Sequence, residues 1–453
     1  MRVSCALISV LLLVAGTCDT HAQGASVEAA AKRPPASLHP MPLSVLEAKA
    51  RAMLSAQPRV SLDGEGNGLI APVDDLEPSG SGRVPNYVRA FSGRPGVPAS
   101  VAHLMRVVLY SGSVRPETKM AMGIRVAQLV NSPYVAVYME HMLRATTGGT
   151  ATLARLRSGG EAGLSQEERM ALLYATAVST NAAGIEDSEY RHVRALFDDS
   201  QMVELTLSVC FFNYFTRIAN AFNLPVESWS MAFAAKPPEH VYAQPAARVA
   251  VLDDSRLTLL SKDEASFKDA EARGQSSMGI GLPHGERIML WCPDVPQAWW
   301  DYGKVLGPSV TLPRIFMRYT SLAVSTANGC RYCTLHVLLG LRRAGVDPSK
   351  LLEMRTDDSV LTPDERSVVE FARKLTRYPE SIVDEDYRKI VGVFGNMGAA
   401  DIVLQTGYFA FMNRFNDAMK TPSEDLALQN YREIYGADWQ PSTPARGNTP
   451  SDR

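Results

Sequence analysis

Two segments of the chain match each other at a single spacing, and this repetition limits the folds that the chain can adopt. Residues 164–169 read Leu-Ser-Gln-Glu-Glu-Arg and residues 361–366 read Leu-Thr-Pro-Asp-Glu-Arg, which places them 361 − 164 = 197 positions apart. The same spacing relates identical residues in other parts of the chain. These pairs include Pro116 and Pro313, Asn131 and Asn328, Asp187 and Asp384, Arg217 and Arg414, and Pro225 and Pro422. One spacing held over so many positions indicates an internal duplication.

Both segments carry helical sequence patterns. Residues 118–130 and 315–327 place apolar side chains on a repeating face, which is typical of helices packed against a core. Ser165 and Thr362 each precede an apolar run and have a glutamate three residues later, the arrangement of a capping box. Alternating β patterns with hairpin turns are scarce in both segments. The two segments are therefore predicted to be helical throughout.

These patterns predict an all-α protein with two tandem helical domains, at residues 97–228 and 286–435, packed on each other as a pseudo-dimer within one chain. Around them we expect an irregular N-terminal segment at 23–96, a linker at 229–285 and a disordered tail at 436–453. These three parts are richer in proline, glycine and small residues. No segment after the first residues is long and apolar enough to span a membrane.

Residues 1–22 have the features of a signal peptide. Arg2 supplies the positive charge, residues 7–15 are apolar but too short to cross a bilayer, and residues 20–22 offer a small-residue cleavage site. A lipoprotein attached through Cys18 is disfavoured by the preceding Thr17. We therefore expect a protein that is exported, to the periplasm or outside the cell. In such a compartment a close cysteine pair is stable as a disulfide unless a reductant reaches it.

The charge balance gives no support to nucleic acid or an anionic membrane as a partner. The chain has 46 Lys and Arg against 48 Asp and Glu, a formal net charge of −2, and its basic residues are not clustered. Proteins that bind nucleic acid normally present a basic patch. A small-molecule substrate is the remaining expectation.

The strongest chemical signal is Asn-Gly-Cys-Arg-Tyr-Cys-Thr-Leu-His at residues 328–336. With Asn328 as the N-cap of a helix, Cys330 lies in the first turn, Cys333 in the next, and His336 one turn further on. The start of a helix favours a thiolate, and thiols at this spacing convert between dithiol and disulfide with little backbone movement. The imidazole of His336 is within reach for proton transfer.

The first domain lacks this chemistry. At the spacing of 197, the positions of Cys330, Cys333 and His336 are occupied by Pro133, Ala136 and Met139. Any thiol chemistry must therefore come from the second domain, and the first is expected to serve as its packing partner.

Three interpretations of the thiol pair are open at this point: a redox-active pair, a structural disulfide, or a metal site. A zinc site would need further ligands, and no second cluster of Cys or His supplies them. Attachment of c-type haem is disfavoured because Thr334, not His, follows Cys333. No cofactor or metal is predicted. Cys210 and Cys292 lie in apolar sequence typical of buried, inert thiols.

The helical unit with this thiol motif resembles the carboxymuconolactone decarboxylase family, in its alkylhydroperoxidase D-like branch. The Leu-Pro-Arg at 312–314 and the Asn-Arg-Phe at 413–415 are similar to that family too. The resemblance implies packed helices that assemble into oligomers, and a thiol peroxidase that uses a peroxide and an external thiol reductant. It implies that Cys333 attacks the peroxide and that Cys330 resolves the product. Position on the helix alone would favour Cys330 as the attacking residue.

Two positions depart from the peroxidase pattern of that family. The relay glutamate of those members lies twelve residues before the first cysteine, where this chain has Arg318. Arginine cannot shuttle a proton, although its charge could support a thiolate. The relay histidine usually stands at the position of Val337, and the imidazole here is His336. The shift turns the side chain by about 100° around the helix.

Three functions follow from the sequence. The first is a peroxiredoxin-like oxidoreductase with Cys333, Cys330 and His336 as catalytic residues and Arg318 as electrostatic support. The second is a non-redox family member acting on a lactone or keto acid, for which the sequence offers only His336 as a base and no carboxylate beside it. The third is a non-catalytic binding or assembly module, with the thiol pair as a structural disulfide.

Overall fold

The structure is a computed structural model that describes residues 40–62, 83–158, 163–232, 234–235, 256–257, 259–272 and 281–436. Over these residues every regular element is a helix, which confirms the all-α prediction. None of the helices in these ranges is both long and apolar enough to cross a membrane. The predicted signal peptide, and the predicted tail beyond Gly436, lie outside the described residues.

The α-helices follow one another with short connections. In the N-terminal half they are α1 (Leu43–Ala52), α2 (Asn86–Arg89), α3 (Val97–Tyr110), α4 (Pro116–Leu129), α5 (Pro133–Arg144), α6 (Gly149–Arg157), α7 (Gln166–Asn181), α8 (Asp187–Arg194), α9 (Asp199–Phe222) and α10 (Ser228–Ala232). In the C-terminal half they are α11 (Ala265–Ala272), α12 (His284–Met289), α13 (Asp294–Leu306), α14 (Arg314–Asn328), α15 (Arg331–Arg343), α16 (Pro348–Glu353), α17 (Pro363–Arg377), α18 (Asp384–Ala418) and α19 (Asp425–Tyr435). Within the segments expected to be irregular, α1 lies at the one stretch whose sequence is helix-like, residues 44–56, whereas α2 within 23–96 and α11 within 229–285 were not expected.

The two predicted capping boxes form. Ser165 Oγ accepts a hydrogen bond from the backbone N–H of Glu168 (3.1 Å), and the Glu168 carboxylate accepts one from the Ser165 N–H (2.8 Å). Thr362 and Glu365 make the same pair of bonds, at 3.3 and 2.8 Å. Because each box satisfies two N–H groups that a helix start leaves without a partner, α7 and α17 begin where the sequence predicts.

Matching helices follow the repeat spacing in most of the chain, but not in all of it. α7 and α17 begin 363 − 166 = 197 positions apart, and α8 and α18 begin 384 − 187 = 197 apart. By contrast, α4 and α14 begin 314 − 116 = 198 apart, and α5 and α15 begin 331 − 133 = 198 apart. The left-handed residues that separate these helices, Asn131 (φ 51°) and Gly329 (φ 74°), are also 198 apart. Because α3 and α13 begin 294 − 97 = 197 apart, the second segment carries one extra residue between the starts of α13 and α14, and it has one residue fewer between the starts of α15 and α17.

This extra residue corrects the pairing of the two segments at the thiols. At the spacing of 198, the positions of Cys330, Cys333 and His336 are occupied by Ser132, Val135 and Tyr138. The pairings with Pro133, Ala136 and Met139 were therefore wrong by one residue. The first segment still has neither thiol nor imidazole at these positions.

Matching helices of the two segments pack on each other: α9 on α18, and α3 on α13. Their contacts are reciprocal. Arg217 Nη2 donates to the carbonyl oxygen of Thr376 (2.9 Å), and Arg414 Nη2 donates to that of Ser179 (3.4 Å). Both the donors (414 − 217) and the acceptors (376 − 179) are 197 positions apart. Such exchange of equivalent partners is typical of a twofold contact, and it supports the pseudo-dimer, which stays a prediction.

One aromatic cluster joins both segments into a continuous core. The ring of Trp299 on α13 stacks on Phe411 of α18, with 4.3 Å between ring centroids, and meets the edge of Tyr214 on α9 at 5.0 Å. Aromatic pairs of this kind contribute roughly 0.5–1.5 kcal/mol beyond the area they bury.

Helix α18 is the element that closes the site. It bends at Gly395, whose backbone is left-handed (φ 69°), and its C-terminal part runs buried past α14 and α15. Asn413 fixes it there. Its Nδ2 donates to Ser325 Oγ (3.2 Å), and its Oδ1 accepts from Asn328 Nδ2 (2.9 Å). The last turns of α18 therefore lie beside the start of α15.

Candidate active site at the thiol pair

The thiols lie at the junction of α14 and α15. Gly329 adopts the left-handed conformation that ends α14, and Cys330, not Asn328, is the N-cap of α15. Its Sγ accepts a hydrogen bond from the backbone N–H of Cys333 (3.4 Å). The sequence placed the N-cap two residues too early, because Asn328 is the better capping residue by composition but forms the end of the preceding helix.

Both sulfurs are free thiols and almost fully enclosed, with Cys330 0% and Cys333 4% exposed. Burial raises the pKa of Cys330 well above its ordinary value, and its hydrogen bond with Cys333 and the nearby charge of Asp417 add to the rise. The expectation that the helix start makes Cys330 a thiolate was therefore wrong, because desolvation outweighs the helix dipole there. A protonated, fully buried Cys330 suits the resolving role that the family resemblance implies.

His336 lies one turn beyond Cys333, and each of its ring nitrogens has a defined neighbour. Nδ1 is 2.7 Å from the backbone carbonyl oxygen of Tyr332, and Nε2 contacts the carboxylate of Glu424 at Oε2. A carbonyl oxygen can only accept a hydrogen bond, so we assign a proton to Nδ1, which donates it to Tyr332. Nε2 is then the nitrogen that faces the Glu424 carboxylate.

Glu424 is held in place by three groups. Its Oε1 accepts hydrogen bonds from Tyr332 Oη (3.0 Å) and from the backbone N–H of His284 (2.8 Å). The Tyr332 ring stacks on the His336 ring with 4.1 Å between centroids. Burial by itself would raise the pKa of Glu424, but its contact with His336 and the charge of that ring lower it to about 2. The pair is thus an ion pair in which Glu424 is the carboxylate.

No sequence motif identified Glu424, and the expectation that no carboxylate lies beside His336 was wrong. Glu424 stands between α18 and α19, far along the chain from the thiols. One signal was available: Glu227 and Glu424 are identical residues at the repeat spacing, 424 − 227 = 197, two positions after the repeated prolines. In the first segment the carboxylate of Glu227 likewise accepts from a tyrosine, Tyr134 (2.9 Å).

Asn416 of α18 contacts the second thiol directly. Its Nδ2 lies 3.5 Å from Cys333 Sγ and donates to the backbone carbonyl of Met412 at 2.8 Å. Helix α12 approaches the same side chain closely, because a Cβ on Gly285 would lie 2.3 Å from Asn416 Oδ1. The position of the Asn416 amide that approaches Cys333 therefore depends on Gly285 in the neighbouring helix α12.

Two further carboxyl groups lie near this site, Glu286 close to Glu424 and Asp417 close to Cys330, and neither was foreseen. Burial raises the pKa of Glu286 to about 8, with the negative charge of Glu424 adding to it. Burial also raises the pKa of Asp417 to about 7, although a hydrogen bond with Cys330 and the charge of Arg414 oppose the rise. Glu286 Oε2 is buried without a hydrogen-bond partner. The site thus holds one ionised carboxylate and two carboxyls that take up protons close to neutral pH.

The predicted site residues do not all meet. Cys330, Cys333 and His336 come together at the start of α15. Over the described residues, no hydrogen bond or ion pair joins Arg318 to any of them; burial and the charge of Arg314 lower the pKa of Arg318. Electrostatic support from Arg318 stays a prediction.

Neither of the two remaining cysteines belongs to the thiol pair. Cys210 and Cys292 are buried free thiols, and burial raises the pKa of each. In the ranges that the structure covers, no group of three or more His, Cys, Asp and Glu side chains is arranged to hold a metal ion.

Comparison with known proteins supports the resemblance over part of the chain. The model of the carboxymuconolactone decarboxylase family matches residues 293–374, which confirms the family resemblance for that segment. The segment contains Cys330, Cys333 and His336, whereas Asn416 and Glu424 lie beyond it. No curated protein and no solved structure matches the chain.

Proposed function

We propose that the carboxymuconolactone decarboxylase family segment at residues 293–374 is the centre of a thiol-dependent peroxidase, in which Cys333 attacks the peroxide and Cys330 resolves the product. The observation that carries this proposal is the surroundings of Cys333. The residue lies in the first turn of α15, Asn416 Nδ2 approaches its sulfur, and the His336–Glu424 ion pair follows one turn later. An amide N–H that donates to a sulfur favours a thiolate over a thiol.

The first step is attack of the Cys333 thiolate on a peroxide oxygen. An S–O bond forms, the O–O bond breaks, and the departing alkoxide or hydroxide needs a proton. The His336–Glu424 pair lies one helical turn beyond Cys333 and is our candidate for supplying that proton. Because Tyr332 fixes both partners, the pair is already oriented before the peroxide arrives.

Glu424 supplies the carboxylate that the family resemblance assigns to position 318. The peroxidase pattern has a glutamate there, and this chain has Arg318. Here the carboxylate approaches the imidazole from the turn between α18 and α19 instead of from α14. The two departures from the pattern are then linked. The carboxylate comes from position 424 instead of 318, and the imidazole that meets it stands at position 336 instead of 337.

The cycle closes through the two thiols. Cys330 attacks the Cys333 sulfenic acid, which forms a disulfide and releases water, and an external thiol donor then reduces the disulfide. The hydrogen bond from Cys333 N–H to Cys330 Sγ shows that the two residues already share one helical turn. If the protein is exported, a dedicated reductant is required, because the compartment favours the disulfide.

Peroxide reduction by the full chain tests the proposal. We expect the reduced protein to consume hydrogen peroxide or an alkyl hydroperoxide, Cys333→Ser to abolish this, and Cys330→Ser to give one turnover that ends in a trapped sulfenic acid. Cys292→Ser is the matched control, since it removes a buried thiol outside the site. Unchanged peroxide consumption by Cys333→Ser would contradict the proposal.

A second candidate is non-redox proton transfer on a lactone or keto acid. The observation that favours it is the presence of the ionised Glu424 and of Glu286, whose raised pKa keeps it protonated, which supplies a carboxylate base and a carboxyl acid in one site. The same variant separates the two functions: a proton-transfer enzyme retains its activity in Cys333→Ser. A binding module with a structural disulfide would show neither activity, and its Cys333→Ser variant would lose only stability.

A further inference from the structure

The carboxylate of Glu424 meets a second histidine besides His336. In His284, on α12, the ring atom Nδ1 lies 4.0 Å from Glu424 Oε1, and the backbone N–H donates to the same oxygen (2.8 Å). We propose that His284 is a third, pH-dependent member of this acid–base group: when it takes up a proton, it competes with His336 for Glu424 and makes His336 the stronger acid. This inference rests on the proposed peroxidase and adds a positioning residue to it.

The hydrogen bonds around Glu424 are repeated around Glu227 in the first segment, which gives an internal comparison. In both segments a tyrosine hydroxyl and a backbone N–H donate to the carboxylate, the next N–H along the chain donates to the tyrosine, and a side chain donates to the carbonyl two positions before the carboxylate. The residues in these places are Tyr332, His284, Gly285 and Pro422 in the second segment, and Tyr134, Asn86, Tyr87 and Pro225 in the first. His284 therefore corresponds to Asn86.

The comparison separates what His284 does for the structure from what it adds chemically. The amide of Asn86 donates to the carbonyl oxygen of Pro225 (2.9 Å), and His284 Nδ1 lies 3.0 Å from that of Pro422. An asparagine is therefore sufficient for this bond. What an imidazole adds is a change of charge between pH 5 and pH 8, because an amide stays neutral over this range. The segment with the thiols has the side chain that can change its charge.

His284 is also the more accessible of the two histidines. Its side chain is 26% exposed, whereas that of His336 is 7% exposed. Because the carbonyl oxygen of Pro422 can only accept, His284 Nδ1 carries a proton in both charge states, and Nε2 is the nitrogen that gains or loses one. His284 can therefore follow the pH of the solution, although the His336–Glu424 pair is enclosed.

The other titratable groups near His284 leave the histidines to change the charge of the site. These groups are Glu286 and Arg287 on α12, Tyr332 and His336 on α15, Tyr408 on α18, and Glu424 before α19. Burial raises the pKa of Glu286 to about 8 and raises the pKa of both tyrosines, so these three groups are neutral from pH 5 to pH 7. Over the same range Arg287 stays positive, and Glu424 stays ionised because its pKa is lowered to about 2.

The two histidines approach different oxygens of one carboxylate. His336 Nε2 contacts Oε2 of Glu424, and His284 Nδ1 lies beside Oε1. A charge on His284 therefore offsets part of the negative charge that holds the proton of His336, and it repels the positive His336 ring. His336 then gives up its proton more readily.

This effect acts on the proposed first step. The S–O bond forms and the O–O bond breaks, so that Cys333 is oxidised to the sulfenic acid and the peroxide is reduced. The departing oxygen takes one proton from His336, which regains a proton from solvent, and His284 keeps its own proton throughout. A stronger acid at His336 speeds this transfer.

Stopped-flow measurement of the reaction of the reduced full chain with hydrogen peroxide, from pH 5.5 to pH 8.5, tests this role. The variant is His284→Asn, which installs the residue of the first segment, and the quantity is the wild-type rate constant divided by that of the variant. We expect this ratio to be within about 2-fold of 1 at pH 8.5 and to rise to about 3–10 at pH 5.5, because only wild type gains the charge. His192→Asn, on the exposed face of α8, is the matched control and should react as wild type does at every pH.

A purely structural role gives a different result, since a disturbed site would lower the rate by the same factor at every pH. A ratio that does not change with pH therefore overturns the role of His284 and leaves the peroxidase in place. A wild-type protein that does not react with peroxide overturns the proposed function instead.

The contact itself is tested without activity, by NMR titration of the imidazole signals of His284 in the full chain. Glu424→Gln should lower the midpoint of this titration by about 0.5–1 pH unit, because a carboxylate at this distance favours the charged ring. Glu433→Gln, which removes a surface carboxylate paired with Arg342, should leave the midpoint unchanged. An equal midpoint in wild type and Glu424→Gln overturns the proposal, including in the case that His284→Asn does not fold.

Discussion

Glu424 and His336 form an ion pair although they lie 424 − 336 = 88 positions apart in the chain. His336 comes from α15, inside the segment that matches the carboxymuconolactone decarboxylase family, and Glu424 comes from the turn after α18, outside it. The pair therefore exists only when the C-terminal helices close over α15. The acid–base pair of the site therefore depends on a tertiary contact, and one of its two residues lies outside the segment that matches the family.

We predict that Glu424→Gln slows the reaction of the reduced protein with peroxide by about 100-fold, since the imidazole loses the carboxylate that orients it and stabilises its charge. The measurement is the second-order rate constant from stopped-flow kinetics at pH 7. Glu433→Gln on α19 is the matched control, because Glu433 pairs with Arg342 at the surface, away from the thiols. A Glu424→Gln protein that reacts as fast as wild type would remove Glu424 from the mechanism.

The same residue should make the fold sensitive to acid. The pKa of Glu424 is lowered from 4.5 to about 2 in the folded protein. A carboxyl with a lowered folded pKa stabilises the fold above its unfolded pKa, and this stabilisation is lost as the pH falls from about 5 to about 2. Relative to Glu424→Gln, we expect wild type to lose about 2 kcal/mol of unfolding free energy between pH 6 and pH 2.5. Urea titrations at both pH values measure it, and a constant difference between the two proteins would contradict the assignment.

Glu286 should make the fold less stable as the pH rises, which is the opposite of the effect of Glu424. Burial and the nearby Glu424 raise its pKa from 4.5 to about 8. A carboxyl with a raised folded pKa contributes stability below its unfolded pKa, and that contribution is lost as the pH rises from about 4.5 through about 8. Between pH 5 and pH 9 we therefore expect Glu286→Gln to gain about 4 kcal/mol of unfolding free energy relative to wild type. The measurement is the unfolding free energy across this range. Parallel profiles for the two proteins would show that Glu286 keeps an ordinary pKa.

Local sequence signals predicted the parts of the structure that local interactions determine. The capping boxes at Ser165 and Thr362 start α7 and α17, because the residues that satisfy the free N–H groups lie within one turn. The thiol pair and His336 share one helix, so their grouping follows from spacing alone. The N-cap of α15 was misplaced because Asn328 suits a helix start and a helix end equally well in sequence.

Contacts that depend on packing between distant helices were not predictable in this way. Asn416 reaches Cys333, and Glu424 reaches His336, only because α18 bends at Gly395 and is held against α14 by Asn413. No periodicity in the sequence connects these positions with Cys330. The pairing of the two segments was off by one residue because the extra residue falls in a connection, where insertions are tolerated and leave no helical signature. The repeated glutamates at 227 and 424 were the one visible signal for the carboxylate.

The final prediction concerns Gly285, which decides how closely α12 approaches the thiols. A Cβ at this position would lie 2.3 Å from Asn416 Oδ1, and Asn416 Nδ2 is the donor that approaches Cys333 Sγ. Gly285→Ala must therefore displace Asn416 or α12, although alanine is the better helix former.

We expect Gly285→Ala to lower the unfolding free energy by about 1–3 kcal/mol and to slow the reaction of Cys333 with peroxide. Gly303→Ala on α13 is the matched control. A Cβ there meets no atom within 4 Å, so this variant should keep its peroxide rate and gain up to about 1 kcal/mol. Chemical denaturation and stopped-flow kinetics on both variants give the two quantities. If Gly285→Ala matches Gly303→Ala in both, α12 has room to move, and the contact between Asn416 and Cys333 does not depend on that glycine.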